Sequence, residues 1–123
     1  MKVYYAHPMP LYGTKQESNE REQIINKFNK VEIIDPGSFQ DNPEKQREGM
    51  KFCLKLVRKC KAVVFSKFKG EITAGVGKEV NYAIEKKIDV FELNGDKFHK
   101  IDKPVEYLSI METISLPGYY PNR

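Results

Sequence analysis

At 123 residues, with 40% hydrophobic and 31% charged side chains, the chain has the make-up of one globular domain (residues 1–123) rather than a disordered segment. Its 21 basic and 17 acidic residues give a net charge of +4 and are intermixed along the whole length. That argues against a nucleic-acid-binding stripe and leaves room for a small anionic ligand such as a phosphate.

No apolar run approaches the roughly 18 to 20 residues that a transmembrane helix needs, and the first residues read as a strand rather than a signal peptide. A cytoplasmic protein that does not engage membranes is therefore expected. Cys53 and Cys60 stand in one helical segment with no second cysteine pair, and the two histidines are far apart, so no metal-binding spacing is present and reduced thiols are expected.

Taken in chain order, Val3 to Ala6 is a short apolar run that ends in His7-Pro8-Met9-Pro10, a strand leading into a loop through Tyr12-Gly13-Thr14. Ile24, Ile25 and Phe28 mark one face of an amphipathic helix over Glu17 to Phe28, with Ser18 as its cap. Val31 to Ile34 is a second strand, stopped by Asp35-Pro36-Gly37. Asn42-Pro43-Glu44 reads as a cap with proline at the first helical position, and Met50, Cys53, Leu54 and Val57 recur at helical spacing behind it.

Ala62 to Phe65 is the third strand. A helix from about Gly77 to Lys87 follows, with Val80, Ala83 and Ile84 facing inward, and Ile88 to Leu93 is the fourth strand. Asn94-Gly95 signals a hairpin, so Lys97 to Ile101 reads as a return strand. Val105 to Leu116 suits either a strand or a short helix. The alternation of strand and helix predicts an α/β fold with a mostly parallel sheet of four to five strands and right-handed crossovers.

The stretch richest in chemistry is Thr73-Ala-Gly-Val-Gly-Lys-Glu-Val-Asn-Tyr-Ala83. It reads as a glycine turn between a strand and a helix, with Glu79 in the first helical turn. In open α/β sheets ligands bind at the carboxyl ends of the strands, where glycines admit a ligand to the backbone and helix amides face it. Two glycines in three residues cost backbone entropy, so Gly75 and Gly77 imply a close backbone approach or a positive φ.

These residues carry a resemblance. Lys2-Val-Tyr-Tyr-Ala6, Asp35 closing the second strand, and Gly75-Val-Gly-Lys-Glu-Val-Asn-Tyr-Ala83 followed by Val90-Phe-Glu-Leu93 resemble the nucleoside 2-deoxyribosyltransferase family and its 2′-deoxynucleoside 5′-phosphate N-hydrolase relatives over roughly Lys2 to Leu93. The resemblance implies a flavodoxin-like, Rossmann-like three-layer sandwich and an enzyme that cleaves or exchanges the bond between a base and a (deoxy)ribose. Glu79 would attack the anomeric carbon, giving a covalent glycosyl intermediate captured by another base or by water.

Tyr4 would orient that nucleophile, while Tyr5 points to the opposite face of the strand. His7, Thr73, Gly75, Gly77 and Asp35 would line the substrate site. Thr73 stands where the transferases tend to carry an aspartate and the nucleotide hydrolases a serine; a hydroxyl beside helix amides favours a 5′-phosphorylated ligand. The intermediate is carried by the protein, so no cofactor and no metal are implied. The expected partners are a small nucleoside or nucleotide and further copies of the chain in a homodimer or higher homo-oligomer.

The chain also departs from that pattern. Cys53 falls where the family's second carboxylate assists the departing base, and Lys61 where an aspartate usually starts the third strand. A thiol cannot do the proton work of a carboxylate at ordinary pKa values, so either another group such as Asp35, Asp41 or Glu48 takes that role or glycosidic cleavage is slow or absent. Plainer roles compete with each of these: Glu79 as a solvated first-turn acid, Tyr4 as a core aromatic, Thr73 as a helix cap, His7 as a structural loop histidine. The aromatic tail Leu116-Pro-Gly-Tyr-Tyr-Pro-Asn-Arg123 either covers a ligand or packs across a dimer through Tyr119, Tyr120 and Arg123, or is an unstructured end. A non-catalytic nucleotide sensor and an interaction module of the same fold class stand beside the enzyme reading.

Overall fold

A computed structural model describes residues 1–39 and 48–120. Five strands, β1 (Lys2–Ala6), β2 (Glu32–Ile34), β3 (Ala62–Phe65), β4 (Asp89–Asn94) and β5 (Lys97–Ile101), form one sheet in the order β2-β1-β3-β4-β5. The first four run parallel, with Tyr4 in register with both Ile34 and Val63, and β5 pairs antiparallel with β4. Four α-helices are described: α1 (Lys15–Lys27), α2 (Met50–Arg58), α3 (Ala74–Glu85) and α4 (Ile110–Ile114). Among the described residues no helix is long and apolar enough to cross a membrane.

The period of two along β1 sorts its side chains onto two cores. Val3 and Tyr5 pack with Ile24 of α1, while Tyr4 and Ala6 pack with Val57 of α2 and with Val76, Val80 and Ala83 of α3. The sheet therefore has helices on both faces, and near-continuous apolar β1 and β3 are buried on both sides, as parallel strands in such a setting must be. Because β1 leads to β2 on one side while β3 continues to β4 on the other, the crevice beyond Ala6 and Phe65 is where the strand order reverses.

Several sequence expectations change in detail. Helix α1 starts earlier than expected: Gly13, at φ 75°, turns the chain, and Thr14 rather than Ser18 is the cap, accepting from the Glu17 amide at 3.2 Å. The expected cap at Asn42-Pro43-Glu44 lies outside the described residues. The return strand β5 is present, set by a tight turn with Gly95 at φ 65°. Val105 to Leu116 resolves into an extended run and then α4, whose start is fixed by a capping box between Ser109 and Glu112.

The glycine stretch is not a turn. Helix α3 begins at Ala74, so Gly75 and Gly77 lie within its first turns and neither has a positive φ. Glu79 falls in the second turn, on the buried side. Gly77 owes its identity to packing: a Cβ there would lie 2.1 Å from Cγ of Tyr107. The segment carrying Tyr107 is clipped to α3, because the Asn81 side chain donates to the Val105 carbonyl at 2.9 Å and accepts from the Val105 amide at 2.8 Å. The helix ends where Lys87, at φ 59°, lets the Ile88 amide reach back to the Ala83 carbonyl.

Gly77→Ala is accordingly expected to lower the unfolding free energy by about 1 to 3 kcal/mol, the usual cost of overpacking. The loss should shrink when Tyr107 is also replaced by Ala. Urea unfolding of the two single variants and the double variant measures both terms.

Candidate active site

The loop after β1, Pro36 after β2, the first turns of α2 and the start of α3 converge on one cavity of about 210 Å³. At its base the Tyr4 hydroxyl, rising from β1, donates a hydrogen bond to Oε2 of Glu79 on α3. The Cys53 thiol, from α2, lies within hydrogen-bonding reach of both. Three elements distant in sequence thus meet at one carboxylate. Tyr4 is in the sheet face that packs on α2 and α3, which is the face its alternation with Tyr5 assigns it.

Glu79 is 5% exposed. Burial pushes its carboxyl up to about 7, against the hydrogen bonds from Tyr4 and Cys53, and the charge of Asp35 adds to the rise. It is not a solvated acid at a helix end. The same burial, with the Glu79 charge beside it, raises the Tyr4 phenol far above its ordinary value and the Cys53 thiol up to about 11. Tyr4 and Cys53 therefore keep their protons and serve as donors, and Glu79 is the group that titrates near neutrality.

Thr73 precedes α3 as its N-cap residue, yet its side chain makes no capping hydrogen bond. The Ala74 amide is satisfied by Oγ1 of Thr113 at 2.9 Å. Thr73 and Gly75 both line the cavity, and the open backbone at Gly75 faces the Met50 methyl at 3.6 Å from a would-be Cβ. Gly77 does not line it; as a substrate-binding residue it is corrected to a packing position beneath Tyr107.

His7 lines the cavity with its ring, but both nitrogens are taken up by the protein. Nδ1 lies 3.1 Å from the Tyr5 carbonyl and Nε2 lies 2.6 Å from Oε2 of Glu17, and the ring stacks on Tyr5 at a centroid distance of 3.8 Å. A direct polar contact from His7 to a ligand is thereby replaced by a wall role. Glu17 opposes its own burial by accepting from the Gly13 amide and from His7, which together hold its carboxyl below the usual range.

Asp35 lies in a neighbouring cleft of about 420 Å³ that shares Tyr12 with the first cavity. It accepts from Arg21 at 2.7 Å and from the Gly37 amide at 2.8 Å. His7, Glu17 and Asp35 offer ligand atoms within 4.8 Å of one another, the one such group among the described residues that a metal ion would suit. The His7–Glu17 hydrogen bond and the Asp35–Arg21 pair already satisfy those atoms from within the protein. Of the acids considered as substitutes for Cys53, Glu48 lies 3.8 Å from Lys55, and Asp41 is outside the described residues.

Sequence reasoning missed Tyr12 as a wall common to both hollows, and Glu17 and Glu20 as partners of His7 and Tyr5. An aromatic in the loop just after the first strand was a usable signal for Tyr12; the glutamates carried none, because their partners lie on another element. Tyr119 of the aromatic tail reaches the cavity, in keeping with the covering role rather than an unstructured end, and Arg123 lies outside the described residues. Comparison with protein-family models and with curated proteins finds no match.

The raised carboxyl of Glu79 has a thermodynamic signature. The native state binds this proton more tightly than the unfolded chain, whose carboxyl titrates near 4.5, so stability falls as pH rises from about 4.5 through about 7. The slope contributed is up to roughly 1.4 kcal/mol per pH unit. Glu79→Gln is expected to lose it, so that the variant gains on the parent protein between about pH 5 and about pH 8 in urea unfolding.

Proposed function

We propose that the chain cleaves or transfers the N-glycosidic bond of a (deoxy)nucleoside or its 5′-monophosphate, on a flavodoxin-like framework, through a covalent intermediate on Glu79. The observation that carries this reading is the buried Glu79 carboxylate, held by the Tyr4 hydroxyl at the reversal of strand order. Tyr4 fixes carboxylate oxygen Oε2, and Glu79 lines the cavity in which an anomeric carbon would meet the carboxylate. As the bond to the base breaks, positive charge develops on the sugar, and a buried carboxylate stabilises that charge and then traps it as an ester. Water or a second base completes the cycle by attack at the same carbon.

The Thr73 hydroxyl, which is not used as a cap, and the α3 amides that follow Ala74 would hold the 5′-phosphate, since a helix N-terminus favours an anion. The exposed Ile110 and Met111 of α4 give apolar surface to the homo-oligomer that belongs to this reading. One observation favours a second reading, a nucleotide sensor without turnover: Cys53, not a carboxylate, stands beside Glu79. Ligand-induced thermal stabilisation with no free base released would single that reading out.

Screening nucleosides and their 5′-monophosphates for free base by chromatography tests the proposal. Glu79→Ala is expected to cut base release by roughly 10³-fold or more while the protein still folds. The rate should climb as pH passes through about 7, because the nucleophile is the ionised carboxylate. Undiminished release from the Glu79→Ala protein would overturn the mechanism.

A companion prediction concerns the phosphate. Calorimetry should show the monophosphate binding more tightly than the matching nucleoside, and Thr73→Asp should reverse that order by placing a carboxylate against the phosphate. Equal affinities in the unmodified protein would remove the phosphate site.

A further inference from the structure

The charge balance of the Glu79 cavity is lopsided. Among the described residues lining it, Glu79 is the one carboxylate, and no lysine or arginine accompanies it. Two aromatic side chains, Tyr12 and Tyr119, line the same space. A carboxylate with aromatic side chains around it attracts a delocalised cation and has nothing to offer a neutral ring beyond contact area.

Among the described residues, the cavity is also short of a proton donor for a leaving group. A nucleobase that is neutral in its glycoside must take up a proton as it leaves, or depart as an anion. Glu79 cannot give that proton while it attacks as a carboxylate. Both His7 nitrogens are engaged with Tyr5 and Glu17. The Cys53 thiol and the Tyr12 and Tyr119 phenols hold their protons more tightly than such groups ordinarily do, chiefly through burial. Asp35 accepts from Arg21 and Gly37 in the adjoining cleft.

We propose that the glycosides turned over here are those whose leaving group is a cationic heteroaromatic ring, a pyridinium or an N7-alkylated purinium, which departs as a neutral base and needs no proton from the protein. The proposal rests on Glu79 acting as the nucleophile, as set out above. In the step itself a Glu79 oxygen forms a bond to the anomeric carbon while the carbon–nitrogen bond breaks. The electron pair of that bond moves onto the ring nitrogen and cancels its positive charge. Water then attacks the same carbon, the ester bond returns its electron pair to the Glu79 carboxylate, and the water's proton passes to solvent. This assigns Cys53 a specificity role: by standing where an acid would assist departure of a neutral base, it narrows the substrates to those that need no such help.

The test compares leaving groups on matched sugars. Release of 7-methylguanine from 7-methylguanosine 5′-monophosphate is measured against release of guanine from guanosine 5′-monophosphate, with nicotinamide mononucleotide as the pyridinium case. The cationic substrates should exceed the neutral one in kcat/KM by about 100-fold or more, the contribution that a general acid usually makes. Glu79→Gln should abolish release from both classes, and Cys53→Asp should narrow the ratio between them by about tenfold or more.

Independent of turnover, and of whether the Cys53 variant folds, calorimetry should show the cation 1-methylnicotinamide binding about tenfold more tightly than uncharged nicotinamide. Comparable kcat/KM for the two classes, with release still dependent on Glu79, would overturn this inference and leave the nucleophile assignment standing. Release from neither class, or release that survives Glu79→Gln, would overturn both.

Discussion

A carboxylate at 5% exposure is tolerated only where its charge is met, and the hydrogen bond from Tyr4 to Glu79 is the interaction on which the rest of the site depends. Burial alone would leave Glu79 protonated, and two donors alone would leave it a strong acid. Together they bring it to about 7, where both forms are within reach of ordinary conditions. The same bond ties the sheet to α3, since Tyr4 stands in β1 and Glu79 in the second turn of the helix after β3. The chemistry of the site and the docking of that helix are therefore not separable.

The opposite face of β1 repeats the device with a different outcome. Tyr5 donates to Glu20 of α1 at 2.5 Å, and Gln16 adds a second donor at 3.2 Å. Adjacent tyrosines thus each reach a buried glutamate on the helix layer they face. The Glu79 side opens into a cavity with space for a ligand; on the other face Tyr5 is covered by the His7 ring, and the carboxylates of Glu17 and Asp35 are met by protein groups. One strand thus holds a buried glutamate of α3 through Tyr4 on one side and a glutamate of α1 through Tyr5 on the other.

Strand positions were legible in the sequence because they follow from local period, and the strand-end rule gathers Tyr4 and Glu79 at one edge of the sheet; that the two pair was implied by the family resemblance alone. The helix boundaries were not, because Gly75 and Gly77 look like a turn to any local criterion and are helical here through tertiary packing. The demand for glycine at position 77 comes from Tyr107, which is distant in sequence. His7 lines the cavity as its position implies, and only the fold shows that Glu17 and the Tyr5 carbonyl occupy its two nitrogens. Pairings of that kind depend on how α1 is rotated about its axis, which composition and spacing do not encode.

The C-terminal segment is fastened to α3 and the residues just before it at several points. Asn81 clasps Val105, the Leu108 amide bonds to the Ile72 carbonyl at 2.9 Å, and Thr113 caps Ala74. Tyr119, which walls the cavity, comes a few residues after the last of these. The wall and the floor of the cavity are consequently parts of one riveted assembly, not a hinged cover over a fixed base. Shape selection in such a cavity is made at entry: a ligand is admitted or refused by a rim whose position the helix carrying Glu79 has already set, and lengthening the chain between Ile101 and Tyr119 would slacken the rim without touching a single group that bears chemistry.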